Sequence, residues 1–229
     1  MNIKLINLDN RLRACANMIR KDAKLADIGT DHAYLPIFLM QTKLISRAIA
    51  ADIKEGPLNC AKQNIRKYNL SDKIETRLSN GLENISPYEV DDIVIAGMGG
   101  ELIIDIMSKA SWLKNANKRL ILQPMSMSKK LRAYLFNNNF KLLKEVAIYS
   151  DKRVYTVMLA EYTKVRQKYN EIELYIGALN QPLSAEAKAY IQKEINHLIN
   201  QNKGLERENN LDTLNKNKLI INQLSDLLK

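Results

Sequence analysis

This sequence of 229 residues has little of the residue types that build metal centres and disulfide frameworks. It contains two cysteines and two histidines. Cys15 and Cys60 stand far apart, and neither belongs to a C-x-x-C pair. Structural zinc sites are built from closely spaced cysteines and histidines. The sequence therefore predicts no bound metal, and two reduced cysteines on helix faces, as is usual in a cytoplasmic protein.

Long apolar stretches are also missing. No segment approaches the roughly 20 apolar residues that a membrane-spanning helix needs. Residues 1–18 lack the apolar region and small-residue cleavage site of a signal peptide. We therefore expect no membrane partner and a cytoplasmic location.

Glycine is scarce too, with eight in the chain, and only Gly29 follows the first predicted strand. A dinucleotide-binding loop uses three glycines, in the pattern G-x-G-x-x-G, to bring its backbone close to a pyrophosphate. The missing glycines argue against a nicotinamide-dependent oxidoreductase. A nucleoside cofactor without phosphates fits better, and S-adenosylmethionine is the commonest of these.

What the sequence does contain is an acidic turn after its first strand. Asp27 lies within the apolar segment 24–28, where a buried carboxylate is costly unless a partner compensates. Thr30, Asp31 and His32 follow and are suited to capping the next helix, whose free N–H groups attract negative charge. Capping and turn formation alone would explain these residues, but two later segments favour a cofactor site.

Those segments follow the second and fourth predicted strands. Asp52 ends strand 47–52, at about the distance from Gly29 where dinucleotide folds bind ribose hydroxyls. Strand 92–96 runs into the glycine-rich segment Ala96-Gly97-Met98-Gly99-Gly100. Repeated strand-to-turn-to-helix transitions of this kind build a nucleoside pocket.

Apolar runs and helical patterns alternate along most of the chain, which indicates parallel strands joined by right-handed crossovers. Strands are predicted at 24–28, 47–52, 74–78, 92–96 and 118–123, and helices at 8–19, 33–42, 55–69, 99–113 and 127–138. Residues 140–149 and 153–162 then form two strands around a short turn. This closing hairpin predicts an α/β, Rossmann-like class I methyltransferase sheet with an antiparallel last strand.

The pattern changes after residue 163. A capped helix start is followed by apolar residues at three- and four-residue spacing, as in a coiled-coil seam. Gly204 or the Asn209-Asn210 pair marks a turn between two helices. We therefore predict a methyltransferase domain at 1–163 and an α-helical coiled-coil hairpin at 164–229.

Five motifs in a fixed order resemble a known family. They are DIGTDHAYLP, AAD, LSNG, AGMGG and LQP. Together they are similar to the bacterial tRNA (adenine(22)-N(1))-methyltransferases, the TrmK family, over residues 8–163, and residues 164–229 match in architecture. The resemblance implies methyl transfer from S-adenosylmethionine to ring nitrogen 1 of an adenine in tRNA. Position 22 and the choice of tRNA come from the resemblance alone.

The resemblance also implies where the cofactor binds. The turn after Asp27 faces the methionine part, Asp52 the ribose, and Asn80 the adenine. The predicted cofactor-binding residues are Asp27, Gly29, Thr30, Asp31, Asp52, Ile53, Asn80, Gly81, Ala96, Gly97 and Met98. An ordinary turn is the alternative for Asn80-Gly81, and core packing is the alternative for Met98.

Methylation leaves the adenine positively charged, so a nearby carboxylate stabilises the product-like transition state. Asp31 is predicted for this role, with His32 beside it and Gln123 hydrogen-bonded to the base. The D/N-P-P-Y motif of amino-methyltransferases is absent. Ala96–Gly100 stands in its place, and its glycines are predicted to let the base approach the backbone; Gly99, Gly100 and, at the end of the fifth strand, Pro124 are the predicted substrate-binding residues there. We therefore expect 1-methyladenosine, not a methylated exocyclic amine.

The net charge of +10 suggests a polyanionic partner, although a Lys-, Asn- and Ile-rich composition also raises lysine counts without function. The excess lies on residues 1–163, with 25 basic and 17 acidic side chains. Arg11, Arg13, Arg20 and Lys21 are predicted to bind tRNA, with Arg13 and Arg20 on one face of the first helix.

Two other functions stay open. A small-molecule methyltransferase on the same fold would have no use for the basic surface. A catalytically inert RNA-binding module would have no need of both Asp27 and Asp52. We expect the protein to be a monomer.

Overall fold

The computed structural model describes residues 4–229, and its centre is a seven-stranded sheet. The strands are β1 Ala23–Ile28, β2 Ile45–Asp52, β3 Ile74–Leu78, β4 Asp92–Gly99, β5 Arg119–Ser126, β6 Phe140–Ser150 and β7 Arg153–Tyr162. Their order in the sheet is β3-β2-β1-β4-β5-β7-β6. Strands β1 to β5 pair in parallel, and β7 runs antiparallel to both β5 and β6. The predicted fold class is confirmed.

Helices cover both faces of this sheet. They are α1 Asn10–Ala16, α2 Tyr34–Gln41, α3 Glu55–Lys67, α4 Gly100–Lys109, α5 Ser128–Asn137, α6 Glu173–Ile176, α7 Ala185–Arg207 and α8 Leu211–Asp226, with a 3₁₀ turn at Ser111–Leu113. The first helix is shorter than the predicted 8–19. It ends at Asn17 because the chain must turn there to reach β1. Helix α6 was not predicted.

The central strands are buried on both faces, which explains their continuous apolar runs. Ile93, Val94 and Ile95 have no exposed surface. Ile93 and Ile95 face a core shared with α4, α5 and α7, and Val94 faces a second core shared with α1, α2 and α3. The ends at which the five parallel strands finish form one side of the sheet, here called the carboxyl edge. The opposite side is the amino edge.

Helices α7 and α8 form the predicted helical hairpin. Asn209 adopts the left-handed conformation, and the Asn210 side chain caps α8 by accepting from the Thr213 N–H. The turn at Asn209-Asn210 is therefore confirmed, whereas Gly204 lies inside α7. Between the two helices, buried Asn217 donates to Asn202 at 2.9 Å, and one such polar pair fixes the register of two packed helices.

A buried ion pair between α5 and β6 also contacts the helical hairpin. Arg132 of α5 and Glu145 of β6 are both fully buried, and Nη2 of Arg132 lies 2.6 Å from Oε1 of Glu145. Arg132 also donates to the Tyr190 hydroxyl of α7 and to the carbonyls of Leu174 and Tyr175. The hydrophobic core runs on from the sheet into α7 without interruption.

Within residues 4–229, no helix combines the length and the apolar character that crossing a membrane requires.

Candidate active site

A cavity of about 400 Å³ opens at the carboxyl edge, where the motifs of the sequence converge. Its walls come from α1, the loop between β1 and α2, the end of β4, and β5. The lining residues are Arg11, Leu12, Asp27, Gly29, Thr30, Asp31, His32, Ala33, Tyr34, Leu35, Ala96, Gly97 and Gln123. We call it the site cavity. Leu12, Tyr34 and Leu35 were not predicted as site residues, because apolar residues on a helix are normally interpreted as core residues.

The loop after β1 is built around Gly29. Gly29 has φ of +77°, and its N–H and that of Thr30 both donate to the Ala51 carbonyl of β2. A Cβ at Gly29 would lie 2.1 Å from Cε of Met98. Glycine is therefore required twice, by the backbone conformation and by the Met98 side chain that packs on it.

Asp27 presents a carboxylate that the protein compensates incompletely. The residue is 6% exposed at the end of β1. Burial raises the pKa of Asp27 to about 6, a hydrogen bond with Thr30 partly opposes this rise, and the negative charge of Asp52 adds to it. Burial thus makes the ionised form costly, and a bound cation would relieve that cost.

Of the three residues predicted to cap α2, Thr30 contacts the start of the helix, and Asp31 and His32 do not. Helix α2 begins at Ala33 in the left-handed conformation, and Thr30 Oγ1 accepts from the Ala33 N–H at 3.2 Å. The prediction that Asp31 and His32 cap this helix is wrong, because the residue at the N-cap position is Ala33 and neither side chain accepts from the first turn of α2. They lie instead at the mouth of the cavity, with Asp31 Oδ2 3.2 Å from His32 Nε2 and the His32 ring stacked on Tyr34.

The glycine-rich end of β4 is held by Gln123. Gly97 has φ of +77°, and its N–H donates to Oε1 of Gln123 at 3.0 Å. The Gln123 side chain is fully buried, and its Nε2 donates to the Pro124 carbonyl. Both ends of the amide are therefore engaged with the backbone of the two loops, and Gln123 fixes the wall of the cavity.

The glycines of this segment do not all face open space. A Cβ at Gly100 would lie 2.7 Å from the Met127 carbonyl, and one at Gly99 would lie 3.3 Å from Oγ of Ser126. At Gly97 no atom lies within 4 Å of the Cβ position. The room for a ligand is beside Gly97, whereas Gly100 lets the loop between β5 and α5 pack closely.

Asp52, Ile53, Asn80 and Gly81 lie at the same edge but outside the walls of the site cavity. Asp52 ends β2 and accepts from the Lys54 N–H at 2.8 Å, and Ile53 is 60% exposed. Asn80 donates to Glu83, and Gly81 has φ of +59° with its Cβ position 2.8 Å from Ile106. Asn80 lines a separate cavity, shared with α4.

Comparison with known proteins covers both parts of this architecture. Residues 8–158 match a family model described as a methyltransferase domain. The chain is 34% identical over 226 residues to the tRNA (adenine(22)-N(1))-methyltransferase of Bacillus subtilis, across 98% of this chain and 95% of that protein. This chain belongs to the tRNA (adenine(22)-N(1))-methyltransferase family.

Solved structures of this family superpose on almost the whole chain. The crystal structure of the B. subtilis m1A22 tRNA methyltransferase TrmK gives a TM-score of 0.86 with 30% identity, covering 98% of this chain and all of that one. Streptococcus pneumoniae Sp1610, solved in complex with S-adenosyl-L-methionine, gives 0.80 with 32% identity, covering 94% of this chain and 100% of that one. The helical hairpin is thus part of the shared structure.

The basic residues predicted for this methyltransferase do not form one surface. Arg20 lies beyond the end of α1, at the amino edge, where its Nε donates to the fully buried Asp92 at 2.7 Å and its Nη2 to the carbonyls of Asp91 and Asn117. The prediction that Arg13 and Arg20 share a helix face is therefore wrong, because the helix ends before Arg20. Exposed Lys21 follows at that same distant edge.

The other two arginines lie on α1, and they differ in their distance from the site cavity. Arg11 borders the site cavity, donating to Asp9 and to Sδ of Met125, and its buried Nε has no hydrogen-bond partner among residues 4–229. Arg13 donates to Asn7 and packs over the Phe38 ring. Of the four predicted basic residues, only Arg11 lines the site cavity as described.

Proposed function

We propose that this protein transfers a methyl group from S-adenosylmethionine to ring nitrogen 1 of an adenine in tRNA, the adenine at position 22. The observation that carries the proposal is that the similarity extends nearly end to end, through sheet and hairpin, to a relative named for that activity. An enzyme for a small molecule would need only the sheet and its cavity.

The chemistry of the cavity suits this cofactor. S-adenosylmethionine carries a positive sulfur and a positive ammonium group, and Asp27 offers a buried carboxylate with a raised pKa. Asp52 is close enough to Asp27 to raise that pKa further. We assign the methionine part to Asp27, Gly29, Thr30, Ala96, Gly97 and Met98, and the ribose and adenine to Asp52, Ile53, Asn80 and Gly81.

Bound S-adenosylmethionine would supply a methyl group that its sulfonium already activates. The protein then has to expose the target base and orient it, because the lone pair of ring nitrogen 1 is free once the base is unpaired. We assign Asp31, exposed at the cavity mouth beside His32, to stabilise the positive charge of the methylated ring. Gln123 is reassigned to a positioning role, since its amide holds the loop of Gly97.

The test is methylation of an unmodified tRNA transcript with adenine at position 22, followed by nucleoside mass spectrometry. We expect 1-methyladenosine from this transcript and none from a matched transcript with guanine at position 22. Free adenosine should remain unmodified. An exocyclic methyl product, or equal methylation of both transcripts, would contradict the proposal.

We also propose that the two predicted parts, 1–163 and 164–229, have separate roles while sharing one core. A chain ending at Tyr162 would remove Tyr190 and two carbonyl partners from buried Arg132, so we expect it to lose cooperative unfolding in thermal melts. Replacing residues 203–216 with a short turn should instead keep S-adenosylmethionine binding and reduce tRNA methylation. Unreduced methylation in that shortened protein would show that the distal hairpin is structural.

We further propose that the protein acts as a monomer in the cytoplasm. Light scattering of the purified protein, with and without tRNA, tests the stoichiometry.

A further inference from the structure

A second cavity, of about 510 Å³, lies at the carboxyl edge between the β6–β7 turn, the end of β5 and α7. We call it the hairpin pocket. Its lining residues are Met125, Tyr149, Lys152, Arg153, Val154, Tyr155, Ala189 and Lys193. Such a volume is within the range of small-ligand sites and would accommodate about one nucleotide.

The hairpin pocket is cationic. Lys152, Arg153 and Lys193 contribute three positive charges, and none of the three forms a salt bridge with residues 4–229. Its lining within the described chain includes no carboxylate, although Asp151 precedes Lys152 in the turn. Three unpaired cations around a nucleotide-sized space form a site for phosphate groups.

The tight turn and α7 hold these cations in place. Asp151 and Lys152 both adopt positive φ, the two-residue turn that matches the twist of paired strands. Lys193 donates to the Val154 carbonyl at 3.2 Å and lies over the Tyr155 ring, which leaves other N–H groups of its ammonium for a ligand. Tyr149, 46% exposed, adds an aromatic surface beside them.

The hairpin pocket adjoins the site cavity through Met125. Sδ of Met125 lies 3.3 Å from Nη1 of Arg11 and 3.6 Å from Nε2 of Gln123, both of which line the site cavity. Asn10 donates to the Tyr149 carbonyl and ties the start of α1 to the same wall. An RNA strand entering the site cavity would therefore have its neighbouring nucleotide at the hairpin pocket.

We propose that the hairpin pocket binds the nucleotide adjacent to the methylated adenine, with Lys152, Arg153 and Lys193 contacting its phosphates and Tyr149 stacking on its base. This inference rests on the proposed function. A base drawn out of its helix loses stacking on both sides, and a held neighbour keeps the strand in the opened form.

The test compares Lys152→Glu/Arg153→Glu with the control Lys73→Glu, whose exposed lysine lies at the start of β3 on the amino edge. Binding of unmodified tRNA is measured by fluorescence anisotropy over a range of salt concentrations. We expect Kd for the double variant to rise at least about tenfold, with a shallower salt dependence. The control should stay within about twofold of the wild type.

Variants at Tyr149 test the stacking contribution to tRNA binding separately from the contribution of the positive charges. Tyr149→Ala should raise KM for tRNA roughly fivefold or more, while Tyr149→Phe should match the wild type, because stacking needs the ring and not the hydroxyl. Calorimetry with S-adenosylmethionine should give unchanged affinity in all variants, which shows that they are folded.

The outcomes distinguish the two levels of proposal. If the wild type methylates tRNA and the double variant binds it as the control does, the hairpin pocket is not an RNA site. If the variants lose tRNA binding while the wild type binds but does not methylate tRNA, the pocket assignment holds and the proposed reaction fails. A wild type that neither binds nor methylates tRNA overturns both.

Discussion

The two edges of the sheet use charge in opposite ways. At the amino edge, the fully buried Asp92 accepts from the Arg20 backbone N–H and guanidinium, and Lys118 donates to the carbonyls of Pro87 and Val90. At the carboxyl edge, burial leaves Asp27 with a raised pKa, and the buried Nε of Arg11 has no partner within residues 4–229. The charged groups at the amino edge thus have partners within the protein, whereas those at the carboxyl edge are incompletely satisfied and can bind a ligand.

This difference follows from the direction of parallel strands. At the amino edge, β1, β2, β3 and β5 each follow a helix or 3₁₀ turn through a short loop, and β4 follows β3 through residues 79–91. At the strand ends, Gly29 follows β1 and Gly97 lies in the irregular last part of β4, and both adopt positive φ beside the site cavity. The buried Asp92 is therefore paired at the amino edge, whereas Asp27 and the Arg11 Nε stay incompletely satisfied at the carboxyl edge, where a ligand would bind.

Removing Arg20 should have the largest effect on folding. Arg20→Ala leaves the buried Asp92 carboxylate without its cationic partner. Breaking a fully buried pair costs about 3–5 kcal/mol, and because the Arg20 side chain is 33% exposed we expect the lower end of that range. We expect chemical denaturation to show that loss, while S-adenosylmethionine affinity below the unfolding transition stays unchanged. A loss under about 1 kcal/mol would show that the amino edge is not held by this pair.

Neutralising Asp27 should have the opposite effect on folding. Its raised pKa means that the native state holds this proton to about pH 6, whereas the unfolded chain releases it near the ordinary aspartate pKa of 3.8. Between these values stability falls as pH rises, since the native state binds more protons than the unfolded state. Asp27→Asn should therefore stabilise the cofactor-free protein by up to about 3 kcal/mol above pH 6, and by little near pH 4.

The same variant should bind S-adenosylmethionine more weakly, because the carboxylate that would face a positive ligand is gone. Denaturation at the two pH values and calorimetry measure the two effects. Asp31→Asn is the matched control, since the Asp31 side chain is 70% exposed and should leave stability unchanged. A destabilised Asp27→Asn protein above pH 6 would mean that its carboxylate is already compensated.

The sequence alone predicted the sheet well because its signals are local. Apolar runs, glycines after strands and the closing hairpin each depend on neighbouring residues. The Arg20–Asp92 pair joins residues 72 positions apart, and no local pattern reports it. The helical pattern of α1 even suggested the wrong place for Arg20, since an amphipathic pattern does not show where a chain must turn.

The site was partly predictable for the same reason. The positions of Asp27, Gly29 and Gly97 at the ends of predicted strands predicted that they lie at one edge of the sheet, and the structure places them around one cavity. The sequence could not show that a Cβ at Gly29 would collide with Met98, or that Met127 fills the space beside Gly100. The hairpin pocket was missed entirely, because its lysines and arginine come from a turn and from α7, which meet only after folding.

Asp52 should give the smallest of these effects and thereby measure how far the ligand-binding edge extends. Asp52 is half-buried, accepts from the Lys54 N–H, and lies outside the walls of the site cavity. Asp52→Ala should weaken S-adenosylmethionine binding by about 1–2 kcal/mol, the cost of leaving ribose donors unsatisfied at a partly wet position. Asp52→Asn, which keeps an acceptor, should recover part of that loss. Equal affinity of Asp52→Ala and wild type in calorimetry would confine the cofactor site to the loops of β1 and β4, and would leave the end of β2 with the structural role of satisfying its own turn.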